Sequence, residues 1–287
     1  MSVRMLRSPA EEKNPDVVPL PRRGRENNLA WLERALATSP IGELSGRSLL
    51  LLVGGNDPLS FRLRVAQSHV RHDLSPSAWS LALFLPALAA PFANCKTIGV
   101  DLAPPDGFAK FGYTPPVNAI QSGTLARFTS ADLFPNIALL AVPVPASDIE
   151  RSIEDLKPQR SILDLPMLVL KWLQYGWGVG TPASPLGEGF GMPSAALLEA
   201  AFAANGLDLT PGLESRSSCP EAIWQAATWW YTYYDQRHPG ARIAGAYSAK
   251  HDLVPDIRYG GSSSDAQPSA GGTNPTAARS TKRATNG

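Results

Sequence analysis

The sequence is poor in cysteine, histidine and charge. Its 287 residues include two Cys, four His and 18% charged residues, and 26 Lys+Arg nearly balance 25 Asp+Glu. Two thiols, Cys95 and Cys219, cannot build a disulfide framework, so a reducing compartment suits the chain. A net charge of +1 leaves no basic footprint of the kind that nucleic-acid binders carry, and no nucleic-acid partner is expected. A spanning helix needs about 20 apolar residues. The most apolar stretch, Leu81–Ala93, is shorter and is broken by Pro86 and Pro91. It reads as a buried strand followed by an apolar loop, with a membrane-dipping lip as the alternative. The basic N-terminus has no apolar segment behind it, which argues against a secretory signal and for the cytoplasm.

Cofactor and metal motifs are missing as well. The clusters Gly176–Gly180 and Gly187–Gly191 lack the spacing of a dinucleotide fingerprint and the Gly-Lys-Ser/Thr of a P-loop. They read as turns between helices. Neither H-E-x-x-H nor Cys-x-x-Cys occurs. His69 and His72 have no third ligand nearby and read as a solvated pair rather than a metal clip. No cofactor and no metal are expected.

What the chain does hold is 44% hydrophobic residues, enough for a sizeable core, and 27 Pro, well above the usual ~5%. Residues 1–25 mix Pro, Glu and Arg without periodicity and read as a disordered or loosely docked leader, and 259–287 read as a disordered tail. Between them, 26–258 is expected to be a single α+β domain. Asn28 is expected to cap a helix to Thr38. Ser48–Val53 is a continuous apolar run ended by Gly54-Gly55, as in a buried strand. Asn56-Asp57-Pro58 opens a helix to about Val70 that should bury Phe61, Val65 and Leu63. Strands are expected over Trp79–Leu85, Thr97–Leu102, Val117–Ile120 and Ile137–Val144, the last ending at a sheet edge because of Pro143. Helices should then follow from Ser147, from the Asp164 cap to Tyr175, from the Ser194 cap to Asn205, and over Glu221–Asp235.

The most informative stretch is Pro211–Gln225. Pro220 fits a first helical turn, and Ser218 and Glu221 have capping-box spacing. Cys219 therefore sits at the positive end of a helix dipole, beside free backbone N–H groups. That place favours thiolate over thiol, and the same N–H groups would stabilise an oxyanion. Arg216 adds positive potential and Glu221 opposes it. The plainer reading is a small apolar Cys at a helix end. The aromatic residues that follow (Trp224, Trp229, Trp230, Tyr231, Tyr233 and Tyr234) read first as core packing and second as a substrate-facing wall.

The order of these pieces resembles the circularly permuted papain-like fold of the lecithin retinol acyltransferase-like and YiiX-type proteins. Leu49–Gly55 is similar to that family's first strand, Ser60–Ser68 to its short helix, Trp79–Phe84 to its histidine strand, and Ser218–Trp224 to its cysteine helix. The resemblance spans roughly 48–235. It implies a small antiparallel sheet packed against helices, and Cys219 as nucleophile. The catalytic-His position is occupied by Leu81, which cannot accept a proton. Asp101 matches the polar residue that would orient the missing His. His69 or His72 would be the substitute base, carried back by the loop Asp73–Ala78. Cys95 and His251 are poorer candidates.

Two readings follow. One is a thiol hydrolase or acyltransferase acting on an amide or ester through Cys219, His69 or His72, and Asp101. The other is a catalytically eroded papain-like domain that serves as a binding or scaffold module for a protein or other partner.

Overall fold

Leu, Val and Ala fill two strands on both faces, and this sets the architecture. In the computed structural model, residues 13–38, 41, 46–103, 117–178, 183–229 and 242–250 are described. They fall in the first of two units, 1–255; the second, 256–287, lies outside the described residues, as does the expected tail. Strands β2 (Ser48–Gly54) and β6 (Asn136–Val142) are buried along their whole length and pair antiparallel from Ser48–Val142 to Gly54–Asn136. A strand covered on both faces needs continuous rather than alternating apolar residues.

Seven strands form one sheet in the order β1-β7-β6-β2-β3-β4-β5. Strands β3 (Leu81–Leu85), β4 (Lys96–Gly99) and β5 (Gln121–Thr124) extend it on one side. Strands β7 (Ala244–Ser248) and β1 (Val17–Pro19) extend it on the other. All neighbours are antiparallel except β1 and β7. The chain is thus α+β as expected, but the sheet is larger than the small antiparallel one anticipated, and it is mixed.

Period-two alternation sends side chains into two separate cores. Leu50, Leu52, Ala82, Phe84, Ala138 and Leu140 face one; Leu49, Leu51, Val53, Leu81, Leu83 and Ile137 face the other. The first core is closed by helices α2 (Pro58–Ala66), α3 (Ala146–Leu156), α4 (Leu165–Gly176), α5 (Pro193–Ala203) and α6 (Pro220–Trp229). The second is closed by α1 (Asn28–Thr38), through Trp31, Leu32 and Ala35, and by the turn around Leu125 and Phe128. Among the described residues no helix is long and apolar enough to cross a membrane.

Several local expectations move, each for an identifiable reason. The leader is docked from Asn14 onward. The Asn14 side chain donates to Ala227 O and Ile243 O at 2.9 Å each, and Val17–Pro19 pairs with β7. A three-residue strand is too short to show a pattern. The strand expected over Val117–Ile120 is a turn, because Asn118 and Ala119 have φ of 49° and 59°. Asn118 is buried there, donating to Leu156 O and Leu163 O and accepting from Leu165 N–H, which ties the end of α3 to the start of α4. Pro143 lies just past β6, which is an interior strand rather than an edge. Helix α2 buries Leu63, Arg64 and Ala66, leaving Val65 outward, because the Arg64 guanidinium turns inward to donate to Ser77 O at 2.7 Å. Asn27, not Asn28, accepts from the first turn of α1, and Ser194 lies inside α5 rather than capping it. The residues after Trp229 expected to continue α6 lie outside the described residues.

Helix α5 carries an unusual carboxyl. Glu199 is 1% exposed, accepts from Thr210 Oγ1 at 2.9 Å, and faces Asp208. Burial first, and the hydrogen bond with Asp208 second, push its pKa from 4.5 up to about 8. A carboxyl raised by folding stabilises the protein fully below its unfolded pKa and loses that contribution as pH climbs through the folded value. The melting temperature should therefore fall between pH 5 and pH 9, and Glu199→Gln should flatten that decline. An identical slope in the variant would assign it to other groups.

Candidate functional site

The residue before α6 decides the chemistry. Pro220 occupies the first helical position and Cys219 sits immediately ahead of it. The backbone N–H groups of Ala222 and Glu221 favour the thiolate, as a helix start should. Desolvation outweighs them. Cys219 is 1% exposed, and burial pushes its pKa from 9.0 up to about 12, with the Glu221 charge acting in the same direction. At neutral pH this sulfur is a protonated thiol within the core formed by Ile223, Ala226 and their neighbours.

The capping box does not form. Ser218 Oγ has no hydrogen-bond partner among the described residues, and the Glu221 N–H is accepted by Gln67 Oε1 at 2.9 Å. The Glu221 carboxylate, wholly buried, instead takes Arg71 Nη1 at 3.0 Å, Ser77 Oγ at 2.6 Å and Gln225 Nε2 at 2.6 Å. Arg71 is shared with Asp73, whose hydrogen bond is the main reason its guanidinium is held above the ordinary value.

The other expected catalytic residues do not meet Cys219. His69 stands exposed on the short 3-10 turn Ser68–Val70, and His72 is exposed beyond Arg71. Neither has a hydrogen bond to Cys219. The Cys95 thiol donates to Ala89 O at 3.0 Å. Leu81 faces the core on the far side of the sheet from Cys219. Asp101 accepts from Ala103 N–H at 2.8 Å and pairs with the Arg127 guanidinium, which anchors a loop rather than orienting an imidazole. His251 lies outside the described residues. The residues of the expected constellation are therefore not gathered here: strand alternation separates position 81 from the sulfur, and packing buries the sulfur itself. Among the described residues no group of three or more His, Cys, Asp or Glu gathers to hold a metal ion.

A cavity of about 440 Å³ opens instead where the first turns of α2 and α5 approach β3. Its walls are apolar, including Leu59, Leu81, Leu102, Phe134 and Met192, and its polar lining includes Ser60, Ser194 and the Asp101–Arg127 pair. Asp57 caps α2, accepting from the Ser60 N–H at 2.9 Å and hydroxyl at 2.5 Å. Gly55 is required beside this cap, since a Cβ there would run into the Ser60 side chain. Met192 links the cavity to the cysteine segment, its N–H donating to Ser218 O at 2.8 Å, but Cys219 does not reach the cavity. Arg127 and Met192 carried no sequence signal, and Ser194 only that of a helix cap, because only folding brings them beside Asp57 and Asp101.

Neither a family model, nor a curated protein, nor a solved structure matches this chain.

Leu81→His should leave Cys219 as inert toward iodoacetamide as before, because position 81 faces the second core and the cavity, and Cys219 reaches neither. Burying the new imidazole should cost about 1–3 kcal/mol, read from urea unfolding. Faster alkylation of Cys219 in that variant would overturn the placement of the two residues on opposite faces.

Proposed function

We propose that this chain is a non-catalytic binding module on a scaffold of the permuted papain-like kind, its nucleophile position reduced to core packing. The supporting order is β2, α2, β3 and then a cysteine at the start of a late helix. One observation carries the reading: the thiol that would perform acyl transfer is sealed and protonated, with its pKa pushed up to about 12. Attack on an ester or amide needs a thiolate, and a thiolate needs either a base or a lowered pKa. Neither accompanies Cys219.

The cavity lined by Leu81, Met192 and Arg127 is the binding site in this reading. Its apolar walls with a few convergent polar groups are the usual composition of a small-molecule pocket. The ligand it favours is largely apolar, with one polar end against Ser60, Ser194 or Arg127.

Alkylation of the native protein near neutral pH, mapped by mass spectrometry, tests the proposal. Modification should reach Cys95, which is partly exposed, and spare Cys219 until denaturant is added. Selective labelling of native Cys219 by a carbonyl electrophile would return the chain to the hydrolase or acyltransferase reading.

A further inference from the structure

A second, smaller cavity lies beside α6, whose Trp224, Gln225, Thr228 and Trp229 line it, and does not include Cys219. It measures about 160 Å³ and is walled by aromatic rings. Trp79 and Trp224 have centroids 5.1 Å apart, and Trp224 meets Tyr247 edge-on at 4.8 Å and 70°. Trp229 completes the wall, with Lys13 Nζ 5.3 Å from its ring centroid. The space equals about five water volumes, which suits one ring with a small substituent.

The polar lining is neutral or basic in residue type. Lys13, Arg71 and His72 line the cavity, and no acidic side chain does among the described residues. Arg71 is compensated by Asp73 and Glu221, so the charge that a guest would meet is the Lys13 ammonium. Trp79 is fully buried, and its Nε1–H has no acceptor among the described residues. Gln225 and Thr228 spend their donors within the protein, on Glu221 Oε1 and Trp224 O. An aromatic cage without acids, already holding a lysine ammonium on one ring, disfavours a cationic guest. It offers flat apolar faces together with the Lys13 ammonium.

We propose that this cavity binds a small planar aromatic anion, a monocyclic carboxylate, with its ring among Trp224, Trp229 and Tyr247 and its carboxylate toward Lys13. Rings prefer offset or edge-on contact, which the existing tilts already provide. The Lys13–carboxylate pair is charge-assisted and, at a partly open rim, sensitive to salt. This site goes beyond the binding reading above and stands or falls separately from it.

Tryptophan fluorescence of the full-length protein, titrated with benzoate, benzylamine and tetramethylammonium, decides the matter. Benzoate should give a saturable change that weakens with added salt, while the two cations should not saturate over the same range. Lys13→Gln, at an exposed position, and Trp229→Leu, at a partly exposed one, should each weaken benzoate about tenfold or more, corresponding to the loss of one charge-assisted or one stacking contact. Absence of saturable benzoate binding overturns the proposal, as does equal binding of either cation. Benzoate binding that survives both substitutions places the ligand elsewhere and also overturns it.

Discussion

Two segments distant in sequence are held together by one carboxylate. Glu221, in the first turn of α6, takes hydrogen bonds from Arg71 beyond α2, from Ser77 before β3, and from Gln225 one turn along its own helix. Gln67 closes the arrangement from the other side by accepting the Glu221 N–H and donating to Trp79 O at 2.8 Å. Removing one partner from such a buried pair costs about 3–5 kcal/mol, since the remaining charge is left without solvation. The junction of α2, β3 and α6 is built around this group, and the positions of Trp79, Cys219 and the smaller cavity follow from it.

That junction explains why a cysteine in a favourable place is chemically quiet. A helix start lowers a thiol pKa only as far as its N–H groups outweigh the loss of water around the sulfur. Here the start of α6 is pressed against α2 and the turn before β3, and desolvation wins by a wide margin. The free N–H groups that would have served an oxyanion are spent on Gln67 and on the sulfur itself. The same packing leaves space on either side: an apolar cavity beneath the first turns of α2 and α5, and an aromatic one between α6 and β7.

The parts readable in the chain are those whose cause is local. The run Ser48–Val53 and the run around Leu139 are short, continuously apolar and bounded by turn residues, which fits a doubly covered strand. Asp57-Pro58 and Asp164 mark helix starts through their own side chains, accepting from Ser60 N–H and Met167 N–H. Ile149, Ile153 and Leu156 reveal the buried face of α3 by spacing alone. Strands β1 and β7 gave no such mark. Val17–Pro19 is too short to alternate, and Ala-Gly-Ala-Tyr-Ser has little β preference, so both exist because β6 offers an edge on which to assemble.

Composition and pattern alone determined an α+β chain with doubly buried strands, a largely helical second half, and a cysteine at the opening of a helix. Tertiary structure alone decided which face of β3 Leu81 occupies relative to Cys219, that Gln67 rather than Ser218 serves the α6 N–H, and where the cavities lie. The division has one physical origin. Helix dipoles, caps and alternation act over a few residues and leave a trace in spacing. Desolvation depends on what packs from across the fold, and it was desolvation that turned a primed thiol into a core side chain.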